Sequence, residues 1–154
     1  MKKIKLTRGQ VALVDDEDFE SLNKFKWHVR ASKNTDNYYA VRHDKLKMIS
    51  MARQIQKAPK GLVVDHINGV TLDNQRKNLR ICTQSQNMMN RCKYKTNNSG
   101  FKGVSWGKAS KKWRAQINVS GKKIHLGHFK NKEDAYQAYC GACIKYHGEY
   151  ANRN

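Results

Sequence analysis

The sequence predicts an α+β protein, and three observations lead to this prediction. Runs such as QVALVD, LVVDH and WRAQINV have the β-branched composition or the strict alternation of strands. Between them lie short segments with helical signals, such as the acids that open DDEDFESLNKF. The polar stretch KYKTNNSG has the composition of a loop and sets off the C-terminal third. We therefore predict three segments, at residues 1–60, 61–94 and 95–154.

The first segment is predicted to be a small α+β scaffold. QVALVD forms a strand, and the helix DDEDFESLNKF follows with its acids near the positive end of the helix dipole. KWHVRA and NYYAVRHD form a hairpin on either side of the polar SKNTD. KMISMARQIQKAP is expected to be helical until Pro59, the one proline of the chain.

The central segment is predicted to be a β-loop-β-α unit. LVVDH is its first strand, the turn-rich INGVTLDNQRKN leads to a second strand in LRICT, and QSQNMMNRC is helical. A unit this short has little core of its own. We therefore expect it to pack on the N-terminal region.

The third segment shows the clearest periodicity. In WRAQINV, apolar residues alternate with Arg114, Gln116 and Asn118, which predicts a half-buried antiparallel strand. After a Ser-Gly turn, KKIHLGHF places Lys123 and His125 on one face. Three strands covered by one helix leave one sheet face open. We predict that this face contacts DNA, because side chains able to recognise base edges alternate there with cations; the alternative is a merely solvated face.

A single helix is predicted to cover the other face of this sheet. It begins near Asn131, carries Glu133 and Asp134 in its first turn, and ends at Gly148. The apolar stripe that we expect to pack on the sheet comprises Ala135, Ala138, Tyr139, Ala142 and Tyr146.

The charge balance points to a polyanionic partner. Lys and Arg number 31 against 12 Asp and Glu, for a formal net charge of +19 in 154 residues. Residues 95–154 are the most basic third, with 12 basic and 3 acidic side chains, net +9. Such a surplus opposes compaction and favours nucleic acid or an anionic membrane surface. No segment approaches the ~18 apolar residues of a membrane span, and MKKIKLTRGQ lacks the apolar core of a signal peptide. We expect a cytosolic protein.

The four cysteines are expected to be ordinary reduced thiols in that compartment. Cys140 and Cys143 form a CxxC within the helical pattern AYQAYCGACIKYHG, not at a strand-to-helix turn. Cys82 and Cys92 lie on a predicted strand and a predicted helix, which is a poor second ligand pair for zinc. No structural zinc is therefore predicted.

The dipeptide Asp65-His66 is the chemical centre of the chain. Adjacent strand residues point to opposite faces, but this constraint relaxes where a strand enters a loop. The acid then supplies an oxygen to a metal while the imidazole accepts a proton from water. Asn87 offers a second oxygen, and two such ligands with waters and substrate phosphate suit Mg²⁺. The alternative is a capping Asp and a buried structural histidine.

The spacing of these residues resembles that of the HNH (His-Me finger, ββα-metal) nucleases. Asp65-His66 is followed after twelve residues by Asn78 and after nine more by Asn87, within DHINGVTLDNQRKNLR and the following helix. The similarity is closest to homing endonucleases of phages and introns. The resemblance implies that His66 is the general base, that Asp65 and Asn87 bind one Mg²⁺ or Mn²⁺, and that Asn78 braces the loop.

The N-terminal segment is also similar to the region that precedes this motif in phage HNH proteins. LTRGQVALVDDEDFESL, KW, YYAVR and ISMARQI carry the similarity. One departure is that Met51-Ala52-Arg53 stands where relatives usually have a histidine in the middle. The effect of Ala52 on activity stays open at this stage.

The third segment resembles the DNA-binding domain of plant ethylene-response factors, through SGFKGVSW, KWRAQI, KKIHLGHF and EDAYQAY. In that domain the open face of the sheet enters the major groove. Several plant arginines are replaced here, so the plant target sequence does not transfer. By motif position the implied contacts are Lys102, Ser105, Gln116, Asn118, Lys123 and His125.

Together these features predict a site-specific, metal-dependent endonuclease acting on double-stranded DNA, phage- or intron-encoded. We expect Arg53, Arg80 and Arg91 to add further DNA contacts. One finger per chain predicts one nick per monomer, and a double-strand break would need a dimer or two binding events. The alternatives are a non-catalytic DNA-binding regulator with a degenerate nuclease core and, with less support, RNA binding through Trp106 and Trp113.

Overall fold

The structure is a computed structural model that describes residues 1–33, 35–94 and 96–152. It contains both helices and sheets, which confirms the predicted α+β class. The chain divides into two compact units, Met1–Asn87 and Met88–Asn154. The predicted scaffold and nearly all of the predicted β-loop-β-α unit therefore belong to one compact unit. Positions 34, 95, 153 and 154 of the predicted segments lie outside the described residues.

The first unit is built from small antiparallel sheets in the orders β1–β2, β3–β4–β5 and β6–β7. Two helices, α1 and α2, lie between these strands in the chain, and a third, α3, follows β7. The elements in chain order are β1 (Lys2–Lys5), β2 (Val11–Val14), α1 (Asp16–Asn23), β3 (His28–Ala31), β4 (Tyr38–Asp44), β5 (Lys47–Ser50), α2 (Met51–Gln56), β6 (Val63–His66), β7 (Leu79–Cys82) and α3 (Gln84–Met89).

The helix predicted for KMISMARQIQKAP is wrong for the first four residues of this stretch. Strand β5 occupies KMIS, where Met48 pairs with His43 and Ile49 with Arg42 of β4. Helix α2 begins only at Met51, after the strand pairing ends. Hydrogen bonds between β4 and β5 favour the strand conformation for this segment. Such contacts with another segment cannot be recognised from the local sequence.

The β6–β7 hairpin packs on the N-terminal scaffold, as predicted. Leu79 of β7 belongs to one buried apolar cluster with Ile4, Val14, Trp27 and Met51 of the scaffold, and Val64 of β6 packs against it. The hairpin thereby acquires the core that a β-loop-β-α unit cannot form alone.

The long loop between β6 and β7 is attached to β2 by backbone hydrogen bonds. The Leu13 N–H donates to the Leu72 carbonyl at 2.9 Å, and the Asn74 N–H donates to the Leu13 carbonyl at 2.8 Å. Farther along, the Arg76 guanidinium donates to both carboxylate oxygens of Asp18 at 2.8 and 2.7 Å. The Arg76 N–H reaches the carboxylate of Asp15. The scaffold therefore fixes the loop that follows Asp65-His66.

The second unit is a three-stranded antiparallel sheet with one helix packed on it, as predicted. The strand order is β10–β9–β8. The apolar residues of the sheet pack against the helix residues Ala135, Tyr139, Ala142 and Cys143. The elements are β8 (Val104–Gly107), β9 (Lys112–Val119), β10 (Lys122–Phe129) and α4 (Lys132–His147).

The buried stripe of α4 differs from the prediction at its C-terminal end. Tyr146 is 39% exposed, whereas Cys143 and His147 are buried. The His147 Nε2 lies 2.9 Å from the carbonyl oxygen of Asn118, and its Nδ1 lies 3.5 Å from the Cys143 sulfur. A polar side chain with partners on both ring nitrogens can be buried at little cost. Gly148, with φ of 52°, ends the helix as predicted.

Gly103 is the glycine whose replacement we expect to be most damaging. Its φ is +75°, and a Cβ at this position would collide with the buried ring of Tyr139. We expect Gly103→Ala to destabilise the second unit by about 2–6 kcal/mol, from backbone strain and overpacking together. Gly100→Ala is the matched control, because Gly100 also has a positive φ of +82° but faces open space. Equal urea midpoints for the two variants would contradict the packing argument.

All four cysteines are free thiols, and Cys82 and Cys143 are buried. The CxxC lies within α4, as predicted. Within the described residues, no helix has the length and apolar character needed to cross a membrane.

Candidate active site

The two strands of the β6–β7 hairpin place Asp65 and His66 on different faces. Asp65 pairs with Arg80, and His66 pairs with Leu79. Because side chains alternate along a strand, Asp65 shares its face with Arg80 and Cys82, whereas His66 shares its face with the core residue Leu79. His66 is the last residue of β6. Both members of the dipeptide are buried, at 5% and 6% exposure.

His66 is held by two side chains from other parts of the unit. Its Nε2 lies 3.3 Å from Oδ1 of Asn74, which is 1% exposed. The ring of Tyr39 on β4 meets the imidazole edge to face, with ring centroids 6.4 Å apart. Burial lowers the pKa of His66, against the opposing effects of the Asn74 hydrogen bond and of the charges of Asp65 and Asp73. Burial therefore favours the neutral imidazole, the form that a general base requires.

Asp65 is paired with Arg80 across the hairpin. The Arg80 Nε and Nη2 lie 2.9 and 2.8 Å from Oδ2 of Asp65, and the two side chains are 14% and 7% exposed. Arg80 is one of the arginines predicted to contact DNA. In the structure this guanidinium instead neutralises and orients the acid, because burial of the carboxylate requires a paired charge.

Asn87 lies on α3, whose first turn is set by a capping box. The Thr83 hydroxyl accepts the Gln86 N–H at 3.2 Å, and the Gln86 side chain accepts the Thr83 N–H at 2.9 Å. The Asn87 N–H donates to the Thr83 carbonyl at 3.0 Å. Burial raises the pKa of the Cys82 thiol and the nearby Asp65 charge raises it further, while Arg80 and the Asn87 N–H lower it.

These residues fit a hard divalent cation. One carboxylate and one amide oxygen are ligands that Mg²⁺ and Mn²⁺ accept, and Mg²⁺ usually keeps several waters in its coordination sphere. Among the described residues, no three His, Cys, Asp or Glu side chains cluster as a metal cage. An ion on Asp65 and Asn87 would therefore take waters and a substrate phosphate as its other ligands.

Asn78 braces the loop between the two strands. Its Oδ1 accepts the Asn68 N–H at 2.9 Å, and its Nδ2 donates to the Asp73 carbonyl at 2.8 Å. The side chain is 5% exposed. These contacts span the loop and place Asn78 in a supporting position, as the resemblance implies.

Three other cations that we expected to contact DNA are engaged within the protein. The Arg53 guanidinium donates to the carbonyls of Leu62, Ala58 and Pro59 at 2.6, 3.0 and 2.7 Å, which organises the loop before β6. Arg91 donates to the Tyr94 hydroxyl at 2.8 Å and stacks on its ring.

Lys102 is the third of these cations. Its Nζ donates to the carbonyls of Met89 and Asn152 at 2.8 and 3.3 Å. Burial lowers the pKa of Lys102. The ammonium therefore faces the interior of the second unit, not the face predicted for DNA, and its contacts are structural.

The remaining predicted contacts lie on the sheet face opposite α4. Register pairs place Arg114 beside Ser105, Gln116 beside His125, and Asn118 beside Lys123. Arg114, Asn118, Lys123 and His125 are exposed, and Ser105 and Gln116 are half-exposed.

The side chain of His128 also lies on this face. Its position three residues after His125 would have predicted the opposite face. Residues three apart on a regular strand point to opposite faces. A β-bulge between His125 and Gly127 shifts the register, so His128 pairs with Arg114 and its ring lies 4.6 Å from that of His125. A glycine inside a strand pattern indicates a bulge, and Gly127 is such a glycine in this sequence. Its φ in the structure is +133°.

The chain is similar to one protein family and to two viral proteins. A family model described as HNH endonuclease matches residues 57–89. An uncharacterized HNH endonuclease of Acanthamoeba polyphaga mimivirus is 30% identical over 154 aligned residues, which cover 96% of this chain and 76% of the viral protein. Protein 3.8 of Escherichia phage T7 is 40% identical over 65 residues, which cover 42% of this chain and 54% of the phage protein. No solved structure matches the chain.

The residues matched by the family model fold as a strand–loop–strand–helix finger that carries Asp65, His66 and Asn87. The extent of the similarity to the mimivirus protein shows that the chain belongs to the HNH endonuclease family.

Proposed function

We propose that this protein is a site-specific endonuclease of the homing type, which nicks one strand of duplex DNA with the help of one Mg²⁺ or Mn²⁺. The observation that carries the proposal is His66 itself: a buried, neutral imidazole, oriented by Asn74, directly after an acid on an HNH finger. Phage and giant-virus relatives support an origin in a mobile or viral genome and action inside the host cell.

The proposed reaction is hydrolysis of one phosphodiester. The imidazole of His66 takes a proton from a water, whose oxygen attacks phosphorus in line with the bond to the 3′ oxygen. That bond breaks, which leaves a 5′-phosphate and a 3′-hydroxyl. Asp65 and Asn87 would hold the divalent ion, which supplies stabilisation of the negative charge that develops on the phosphate. One finger per chain supports one nick per monomer.

We propose that the open sheet face of the second unit binds the duplex and selects the site. Gln116, Asn118 and His125 can recognise base edges, and Arg114 and Lys123 can bind phosphates or guanine. The similarity of this unit to ethylene-response-factor domains supports major-groove binding. We add His128 to this face.

Salt dependence provides a test of this surface. Binding through ~6–10 phosphate contacts should weaken by about 10³–10⁵ between 50 and 200 mM salt. If Arg114 binds a phosphate, Arg114→Ala should reduce the slope of log K against log salt by about 0.9. Lys145→Ala removes the same charge from α4, on the other side of the sheet, and should leave the slope unchanged. Equal slopes for both variants and wild type would argue against this role of Arg114.

The chemistry of the ends tests the proposed reaction. DNA ligase seals a nick that carries a 5′-phosphate and a 3′-hydroxyl. We therefore expect plasmid nicked by the protein to be resealed by ligase without prior treatment. Nicks that ligase seals only after phosphatase and kinase treatment would contradict the proposed polarity of hydrolysis.

A further inference from the structure

Two histidines of β10 meet on the open sheet face of the second unit. In the register with β9, His125 lies opposite Gln116. His128 lies three residues farther along β10 but opposite Arg114, which is only two residues from Gln116. The β-bulge accounts for the extra residue, and it brings both exposed imidazoles to one face with their ring centroids 4.6 Å apart. The bulge therefore creates an imidazole pair, and His128 is not among the contacts that the resemblance to ethylene-response factors implies.

The surroundings of this pair on the sheet are basic. The other ionisable side chains on the same face of the strands are Lys112, Arg114 and Lys123. The residues of β8, β9 and β10 all belong to the described part of the chain, and none of them is acidic. Helix α4, which carries Glu133 and Asp134 in its first turn, packs on the opposite face. No carboxylate on these strands therefore offsets a positive charge on either imidazole.

Two positive charges on the pair are unfavourable in the free protein. The imidazoles are close enough to repel each other when both are protonated, and the guanidinium of Arg114 lies opposite His128. A DNA phosphate beside the pair offsets this repulsion, since it attracts both rings and its oxygens accept charge-assisted hydrogen bonds from their N–H groups. Protonation of the pair and binding of a phosphate therefore favour each other.

We propose that His125 and His128 form a binding site for one phosphate of duplex DNA, and that both imidazoles are protonated when the site is occupied. This inference rests on the proposed binding of DNA by the open sheet face, and it adds a contact whose strength depends on pH. Histidine changes its charge between about pH 8 and pH 5, whereas arginine stays charged throughout this range. Mild acidification should therefore tighten DNA binding through the histidines and leave the contribution of Arg114 unchanged.

The pH dependence of DNA binding tests this site. Binding of the full-length protein to one fixed duplex is measured across this pH range in EDTA, which withholds the divalent ion that the proposed cleavage needs. We expect the affinity of wild type to rise as the pH falls, by up to about tenfold per pH unit for each proton taken up. His128→Ala should lose at least half of this rise. His128→Lys, which is charged at every pH of the range, should bind at least as tightly as wild type at the high-pH end and show the same smaller rise.

A histidine of the first unit provides the matched control. His43 stacks on His28 with ring centroids 5.0 Å apart, so it is also one of two neighbouring imidazoles. His43→Ala should leave the rise in affinity unchanged, because His43 does not belong to the open sheet face of the second unit.

The salt dependence of binding distinguishes a phosphate from a base edge. A phosphate contact that forms on protonation releases counterions, so the slope of log K against log salt should be steeper by about 0.9 at the low-pH end than at the high-pH end. The double variant His125→Ala with His128→Ala should show the same slope at both ends. A rise in affinity at low pH with an unchanged salt slope in wild type would mean that the pair binds base edges, and would overturn the phosphate site.

Two further results would overturn the proposal: a wild-type affinity that does not change with pH, or an equal rise in His128→Ala and His43→Ala. Arg114→Ala separates failure of the histidine site from failure of the proposed DNA-binding surface. If Arg114→Ala weakens binding while wild type shows no response to pH, the surface stands and the histidine site fails. Wild-type affinity at every pH in both Arg114→Ala and the double histidine variant would contradict the surface itself, and the site with it.

Discussion

Replacement of His66 by alanine is expected to lower the rate of DNA cleavage by about 10²–10⁴, the contribution typical of a positioned general base. The imidazole is oriented by Asn74 and its burial lowers its pKa, which favours the neutral form, and alanine cannot accept the proton of the attacking water. DNA binding should stay within a few-fold of wild type, because the surface that we propose for binding lies on the second unit.

Cleavage rates and binding constants on the same duplex test this expectation together. A His66→Ala protein that loses binding and cleavage in parallel would contradict the assignment of His66 to catalysis. It would indicate that the histidine is needed for folding. Circular dichroism of the variant separates that case from a loss of substrate contacts.

Asp65→Ala is expected to lower both the stability of the first unit and its activity. It removes the partner of Arg80, a guanidinium whose side chain is only 14% exposed. Removal of one partner of a buried ion pair costs about 3–5 kcal/mol, because the remaining buried charge loses its carboxylate. Cleavage should also be lost, since this carboxylate is a proposed ligand of the divalent ion.

Two further variants separate the effect of Asp65→Ala on stability from its effect on cleavage. Glu20→Ala breaks the exposed ion pair with Lys2 and should change the free energy of unfolding by less than about 1 kcal/mol. The double substitution Asp65→Leu with Arg80→Met should recover much of the stability lost in Asp65→Ala, because both charges are removed. It should not recover cleavage or Mn²⁺ binding. Full activity in the double variant would rule out Asp65 as a metal ligand.

Local patterns in the sequence predicted the elements that carry the candidate site, because these elements are close in the chain. The spacing of Asp65, His66, Asn78 and Asn87 identified the finger, and the structure places Asn78 as the loop brace. The alternation in β9 and β10 located the open face with Arg114 and its neighbours. In each case the residues that matter lie within one or two adjacent elements, where period and spacing carry the information.

The parts that were missed depend on contacts between distant segments. Nothing near Asn74 indicates that its backbone will bond to Leu13, about sixty residues earlier, or that its amide will face His66. The partners of several basic side chains could not be predicted for the same reason. In the sequence, Arg53, Arg80 and Lys102 cannot be distinguished from exposed basic residues that bind phosphates. In the folded chain each of them donates to a carbonyl or carboxylate oxygen of the protein.

Ala52, at the position where phage relatives usually have a histidine, is buried in the structure. It is 3% exposed and belongs to the main apolar core of the first unit. A larger imidazole at this position would have to displace core neighbours, which costs about 1–3 kcal/mol in a well-packed interior. The departure from the pattern of phage relatives is therefore matched by the packing of this chain.

We propose that the finger in the first unit cleaves DNA with a divalent metal, and a plasmid-nicking assay tests this claim most directly. Supercoiled plasmid that the protein is shown to bind is incubated with wild type in Mg²⁺ or Mn²⁺ and, in parallel, in EDTA. We predict conversion to the nicked circle with metal and none with EDTA. Binding without cleavage under every metal condition would contradict the claim and would leave a DNA-binding regulator built on an inactive nuclease finger.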